Sequence, residues 1–203
     1  VKTDAKAFDP FAEQNGGIYV MPGTYSVSIY SSKKGKLTQL NQKADFKVKA
    51  LKNTNFDDAN RTATLAFQKM IARLTHAVVL SEEELTLSSQ AIQTLKKANL
   101  KSDKFDIAIN EQLAVLERKN ADLLFAINGY EAKASYEEVA PAKVSISQRL
   151  GFVIESFIYS SEPVSEAQKE SADIITKQFQ ELRRDIDSHL SDIEELKSKI
   201  LQK

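Results

Sequence analysis

ITKQFQELRRDIDSHLSDIEELKSKI, residues 175–200, sets Ile175, Phe179, Leu182, Ile186, His189, Ile193, Leu196 and Ile200 at alternating steps of four and three. That spacing keeps all eight on one stripe of an α-helix, broken in polarity only at His189. Just upstream, Ser165-Glu166-Ala167-Gln168 has the form of a capping box, in which a Ser at the helix entrance and a Gln three residues later satisfy each other's free backbone donors. A helix of this length cannot hide its apolar stripe within itself, so it needs partner helices.

Partners of the same kind lie upstream. Ser145-Ile146-Ser147-Gln148 is a second capping box, opening a shorter helix with Ile146, Leu150, Val153 and Phe157 on one side and a break at Pro163. Ile109, Leu113, Leu116, Leu123 and Ile127 mark another helix, with Asn120 at the odd seam position, Ser102 as its expected cap and Gly129 as its C-cap. Asp57-Asp58-Ala59-Asn60 supplies entrance acids for the longest stretch. There Phe67, Ile71, Leu74, Val78, Leu85, Ile92 and Leu95 hold a four–three seam, with Ser81 and Ser88 at two of its positions. No Pro or Gly interrupts Asn60–Asn99, which allows one helix of about 40 residues and about 60 Å. Residues 130–143 lack periodicity and contain Pro141, so they read as a loop or extended crossover. Four amphipathic helices in residues 56–203 predict an elongated antiparallel bundle, with a free coiled-coil dimer as the competing arrangement.

Residues 1–55 have another texture. Thr24, Ser26 and Ser28 alternate with Tyr25, Val27 and Ile29, and Phe46 and Val48 alternate with Asp45, Lys47 and Lys49. Period two is the mark of strands with one apolar face. Ser31–Lys36 reads as the turn, with Gly35 at positive φ, and Leu37–Leu40 and Ala44–Ala50 as the strands that follow. Met21-Pro22-Gly23-Thr24-Tyr25-Ser26-Val27 has the form of a late strand of an immunoglobulin-like or fibronectin-type-III-like sandwich, where a corner Tyr bonds back to nearby backbone. A half-buried strand aromatic is the plainer reading of Tyr25. Two or three strands do not stand alone in water. The fold class expected is therefore mainly α with a small β part: the last strands of a sandwich that begins upstream, then the bundle. The opening on Val1 rather than Met reads as a processed chain or a fragment, and residues 1–16 are too few for the earlier strands, so the chain is expected to start inside a domain.

Composition narrows the function classes. The 203 residues carry 28 Lys+Arg, 28 Asp+Glu, two His and no Cys or Trp. Without Cys there is no disulfide scaffold, no Cys-ligated zinc or iron–sulfur centre and no thiol nucleophile. The first 56 residues hold nine Lys and four acids, and the remainder 19 basic and 24 acidic residues. Neither part carries the dense positive stripe of a nucleic-acid binder. Lys33, Lys34 and Lys36 cluster around Gly35 as the solvated tip of a hairpin. No apolar run nears the roughly 18 residues of a membrane span.

Chemistry-bearing motifs are sparse. The chain has no GxGxxG, Walker loop, HExxH or GxSxG. His189, with Asp185 a turn before and Asp192 just after, has metal-pair spacing but lacks the Glu-x-x-His of bundle metal sites, which favours a hydrogen-bonded or edge-of-core histidine. His76 falls beside the first seam, and Glu82-Glu83-Glu84 reads as a solvated face. Asn60-Arg61-Thr62 fits the N-glycosylation pattern at a helix start, a triplet common by chance. Ser81, Ser88 and Ser89 read as small residues that let helices approach. No catalytic, cofactor-binding or metal residue is expected.

The string Met21–Ser28 resembles the Pro-Gly-Thr-Tyr-x-Val signature in the C-terminal region of large secreted bacterial β-propeller proteins, the sortilin-like, BNR-repeat proteins often labelled glycosyl hydrolases. The likeness continues in order through Phe46-Lys47-Val48-Lys49, Asp57–Ile71 and Leu95-Lys96-Lys97-Ala98. It ends with Ser145-Ile146-Ser147-Gln148-Arg149-Leu150-Gly151 and the turn Ser161–Gln168. One departure is the family's Pro-Pro before the Ser-Ile turn, which here is Val144 preceded by Pro141. The resemblance implies a non-catalytic tail: the end of an immunoglobulin-like domain plus a helical bundle, with any hydrolase activity in the upstream propeller. It implies export to the periplasm or cell surface of a Gram-negative bacterium. The partners expected are the upstream part of the same polypeptide or another protein, met through the β edge or helical faces, with no nucleic acid and no membrane insertion. The competing reading is an autonomous helical adaptor subunit of a cell-envelope complex.

Overall fold

The computed structural model describes residues 20–40, 43–50, 58–103, 105–130, 142–159 and 162–201. It is mainly helical, with a small β part. Two compact units divide at Leu65, inside the first helix.

In the first unit, β1 (Gly23–Val27) pairs antiparallel with β4 (Ala44–Val48), and β2 (Tyr30–Lys33) pairs with β3 (Lys36–Gln39). The register sets Tyr25 opposite Phe46 and Val27 opposite Ala44, while Thr24 opposes Lys47 on the other face. The alternation read from the sequence is thus the alternation of the sheet. The Tyr25 and Phe46 rings stack at 6.0 Å, and the Tyr25 hydroxyl donates to the Met21 carbonyl at 2.7 Å. The turn is shorter than Ser31–Lys36. Ser31–Lys33 belong to β2, and Lys34 (φ 51°) and Gly35 (φ 79°) alone reverse the chain. Two successive positive φ values match the strand twist of a two-residue hairpin. Among the described residues each strand has one hydrogen-bonded neighbour, and no sandwich is formed.

In the helical part, α1 (Asp58–Lys101), α2 (Ile107–Asn128), α3 (Ile146–Tyr159) and α4 (Glu166–Leu201) follow the four seams. Both capping boxes form: Ser145 N–H donates to Gln148 Oε1 at 3.0 Å while Gln148 N–H donates to Ser145 Oγ at 3.2 Å, and the Ser165–Gln168 pair repeats it at 2.6 and 3.3 Å. Gly129 ends α2 at φ 71°, its N–H donating to Phe125 O at 2.7 Å. Ser102 is not the cap of α2. Asp106 is, its carboxylate accepting from Ala108 and Ile109 N–H. Asn99 explains the shift: its buried amide donates to Asp106 O at 2.8 Å and accepts from Asp106 N–H, which ties the last turn of α1 to the entrance of α2.

The helices form three columns rather than four antiparallel rods. Asn99 meets Asp106, Gln93 and Lys96 meet Glu117, and Glu82 meets Asn128, so α2 runs antiparallel to α1. Ser147 bonds Asn128, and Ser145 and Ile146 share a groove with Gln178 and Leu182, so α3 takes over where α2 ends and runs antiparallel to α4. Arg183 reaches Ser81 and Glu84, and Ile92 and Leu95 share a cluster with Ile193 and Leu196, so α4 is parallel to α1. The 22 and 14 residues of α2 and α3 together match the 36 of α4. The crossover 131–141 and the Phe157 side chain lie outside what is described.

Candidate functional site

The core of the bundle is two apolar clusters. One gathers Ile71, Val78, Leu85, Leu123, Ile127, Val153, Ile175 and Ile186, and the other Ile92, Leu95, Ile109, Leu113, Leu116, Ile193 and Leu196. Between them every column contributes a polar seam residue: Ser88 from α1, Asn120 from α2 and His189 from α4, all buried, with His189 completely so. The cross-helix bonds of Asn120 to the Leu85 carbonyl and to His189 fix the level, and Ser88 follows Leu85 by one seam step on α1.

Asn120 is the centre of the layer. Its Nδ2 donates to the Leu85 carbonyl at 3.0 Å, which turns Oδ1 towards His189 Nε2, also at 3.0 Å. An amide oxygen only accepts, so Nε2 carries the imidazole proton and Nδ1 keeps a bare lone pair. That Nδ1 is buried and has no partner among the described residues. Ser88 spends its hydroxyl on Glu84 O at 2.9 Å. Burial pushes the His189 imidazole below its ordinary value, and Lys119 acts in the same direction while Asp192 opposes it. Lys119 and Asp192 pair with each other at 3.1 Å on the surface.

A second polar seam is charged. Arg183 on α4 donates to the buried Ser81 hydroxyl at 2.9 Å, pairs with Glu84 on α1 and holds Asp187 at 3.0 Å. Asp187, burial and Glu84 act on the guanidinium in that order, and the net effect raises it above its ordinary value. Lys96 holds Glu117 below the usual carboxylate range through a hydrogen bond, but both groups are open enough to water for the pair to add little.

Several of the sequence readings land here. Ser81 and Ser88 are buried, Ser89 is half-buried, and His76 is exposed. Glu82 and Glu84 are not merely a solvated face, because they tie α1 to Asn128 and Arg183. Arg183, Asn99 and the meeting of Asn120 with His189 were not readable from local pattern. His189 and Asp192 do not converge on a common point: Nε2 is taken by Asn120 and Asp192 by Lys119. Among the described residues, no three His, Cys, Asp or Glu side chains come together as a metal-binding group. No family model, curated protein or solved structure matches the chain. Among the described residues no helix is long and apolar enough to cross a membrane. What the layer can do chemically is hold one proton and orient one amide inside an apolar core.

Proposed function

We propose that this chain is a non-catalytic structural or protein-interaction module, the C-terminal part of an exported sortilin-like β-propeller protein of a Gram-negative cell envelope. The observation that carries this reading is the state of the β unit. Val27 and Phe46 are each 50% exposed and Leu37 is 69% exposed, on strands that each have one open edge among the described residues. Open edges and bare apolar faces are what further strands cover. In this reading the cover is the earlier part of an immunoglobulin-like sandwich, supplied by the upstream polypeptide, and the Tyr25–Met21 bond is its tyrosine corner. The ordered series of blocks from Met21 to Gln168 adds the propeller family. The bundle then serves as a rigid spacer or contact surface, with its buried polar groups spent on alignment.

The deciding experiment reads the coding sequence ahead of Val1 and follows the full product by cell fractionation. Several hundred upstream residues with propeller repeats, and product in the envelope or medium, support the reading. A start codon directly before Val1 would overturn it in favour of the helical adaptor.

A further inference from the structure

We propose that the Ser88–Asn120–His189 layer is an acid-operated latch, in which protonation of His189 releases α4 from α1 and α2 at this level of the bundle.

The argument begins with hydrogen-bond capacity. His189 is fully buried and offers Nε2–H to Asn120 Oδ1, and Asn120 is held in turn by the Leu85 carbonyl. Neutral imidazole fits this setting with one cost, the idle Nδ1 lone pair. Protonation turns that atom into an N–H donor with no partner among the described residues, and puts a full charge between two apolar clusters. Ser88 does not answer it as the layer stands: its hydroxyl donates to Glu84 O, and Nδ1 has no partner among the described residues.

The surrounding charges do not rescue the imidazolium. From α2 the facing charge is Lys119, which repels it; from α4 it is Asp192, which is already paired with Lys119. On α1, Glu84 is engaged by Arg183. α3 meets α4 near Leu182 and runs away from this level. Burial and Lys119 together outweigh Asp192, in line with the geometry.

The sign follows from proton linkage. The unfolded chain binds the His189 proton at about pH 6.5 and the native bundle only below that, so stability is complete above about pH 6.5 and drains as pH falls through the window between the two. A single proton makes the folding equilibrium constant fall by up to about tenfold per pH unit inside that window. The loss is placed at one level of the core, where α4 is held by one amide rather than by interlocking apolar side chains.

The test compares thermal midpoints at pH 7.5 and 5.5 for the full chain, His189→Gln and His76→Gln, with the His189 ring proton followed by NMR in the wild type. Hydrogen exchange is measured at both pH values, corrected for intrinsic rates. Expected are a lower midpoint at pH 5.5 for wild type and His76→Gln, a flat response for His189→Gln, and faster exchange at pH 5.5 first in α4 around residues 186–193 and α2 around 116–123. If His189→Gln does not fold, the wild-type ring titration and exchange map decide alone. An equal pH response in wild type and His189→Gln, a folded-state His189 that titrates at or above the ordinary imidazole value, or acid-induced exchange spread evenly over the bundle overturns the latch.

Discussion

Asn120 is worth more to this protein than its size suggests. Its two ends hold a backbone carbonyl of one column and an imidazole of another, inside a core where an unpaired polar group costs about 1–3 kcal/mol. Asn120→Ala is therefore expected to lower unfolding free energy by about that amount, measured by urea titration at pH 7.5. Asn120→Ala with His189→Leu is expected to cost less than the two single changes added, because it leaves no stranded partner. Equal or greater loss in the double variant would count against a bond between them. Both residues could be placed on their own seams from the sequence, since seam membership depends only on spacing within a helix. Their contact could not, because it depends on the relative shift of α2 and α4, which no local pattern encodes. The role of Arg183 is illegible in the sequence for the same reason: its partners Ser81 and Glu84 lie on another helix about a hundred residues earlier.

At the scale of elements, the local chemistry was legible where both partners lie within one turn. The two capping boxes and the Gly129 C-cap are such cases. α2 starts after Asp106 rather than Ser102 because a side chain seven residues back, Asn99, takes over the backbone of Asp106. The hairpin turn is shorter than its local sequence suggests because Lys34, which carries no sign of it, takes positive φ beside Gly35. Two glycines with opposite roles make a direct test. At Gly129 an added Cβ meets Ser145 Cβ at 3.2 Å on a residue already at φ 71°, so Gly129→Ala is expected to destabilise by about 1 kcal/mol or more. Gly151 lies inside α3, and a Cβ there touches nothing within 4 Å. Gly151→Ala is expected to stabilise by about 0.5–1 kcal/mol through reduced freedom of the unfolded chain. Thermal midpoints moving in opposite directions support both assignments. A fall at Gly151→Ala would mean that α3 packs against something that the described residues do not supply.

For the molecule as a whole, the four helical stripes were plain in the sequence, but their arrangement in three columns was not. Only the matched lengths of α2 plus α3 and α4 hint that the short helices share a column. A bundle closed within one chain is expected to melt at the same temperature from micromolar to millimolar protein, whereas a dimer loses stability on dilution. Ile186 is fully buried in the larger cluster, so Ile186→Ala is expected to cost about 2–5 kcal/mol in urea titration, while Lys177→Ala on the exposed side stays within about 0.5 kcal/mol. A midpoint that tracks concentration would point to contacts between copies.

The parallel seating of α4 against α1 also bears on how the chain is made. α1 and α2 meet through residues as near as Asn99 and Asp106, whereas Arg183 finds Ser81 across 102 positions. A ribosome delivers the early pair first, and their short loop closes at lower entropic cost than the long one. Until the last helix emerges, the nascent protein carries an open trough along α1 and α2, waiting for its third wall. Any α4 can fill it, including one from a neighbouring chain on the same messenger. Refolding at high concentration is therefore where exchanged helices are to be sought, as swapped dimers trapped by rapid dilution from denaturant.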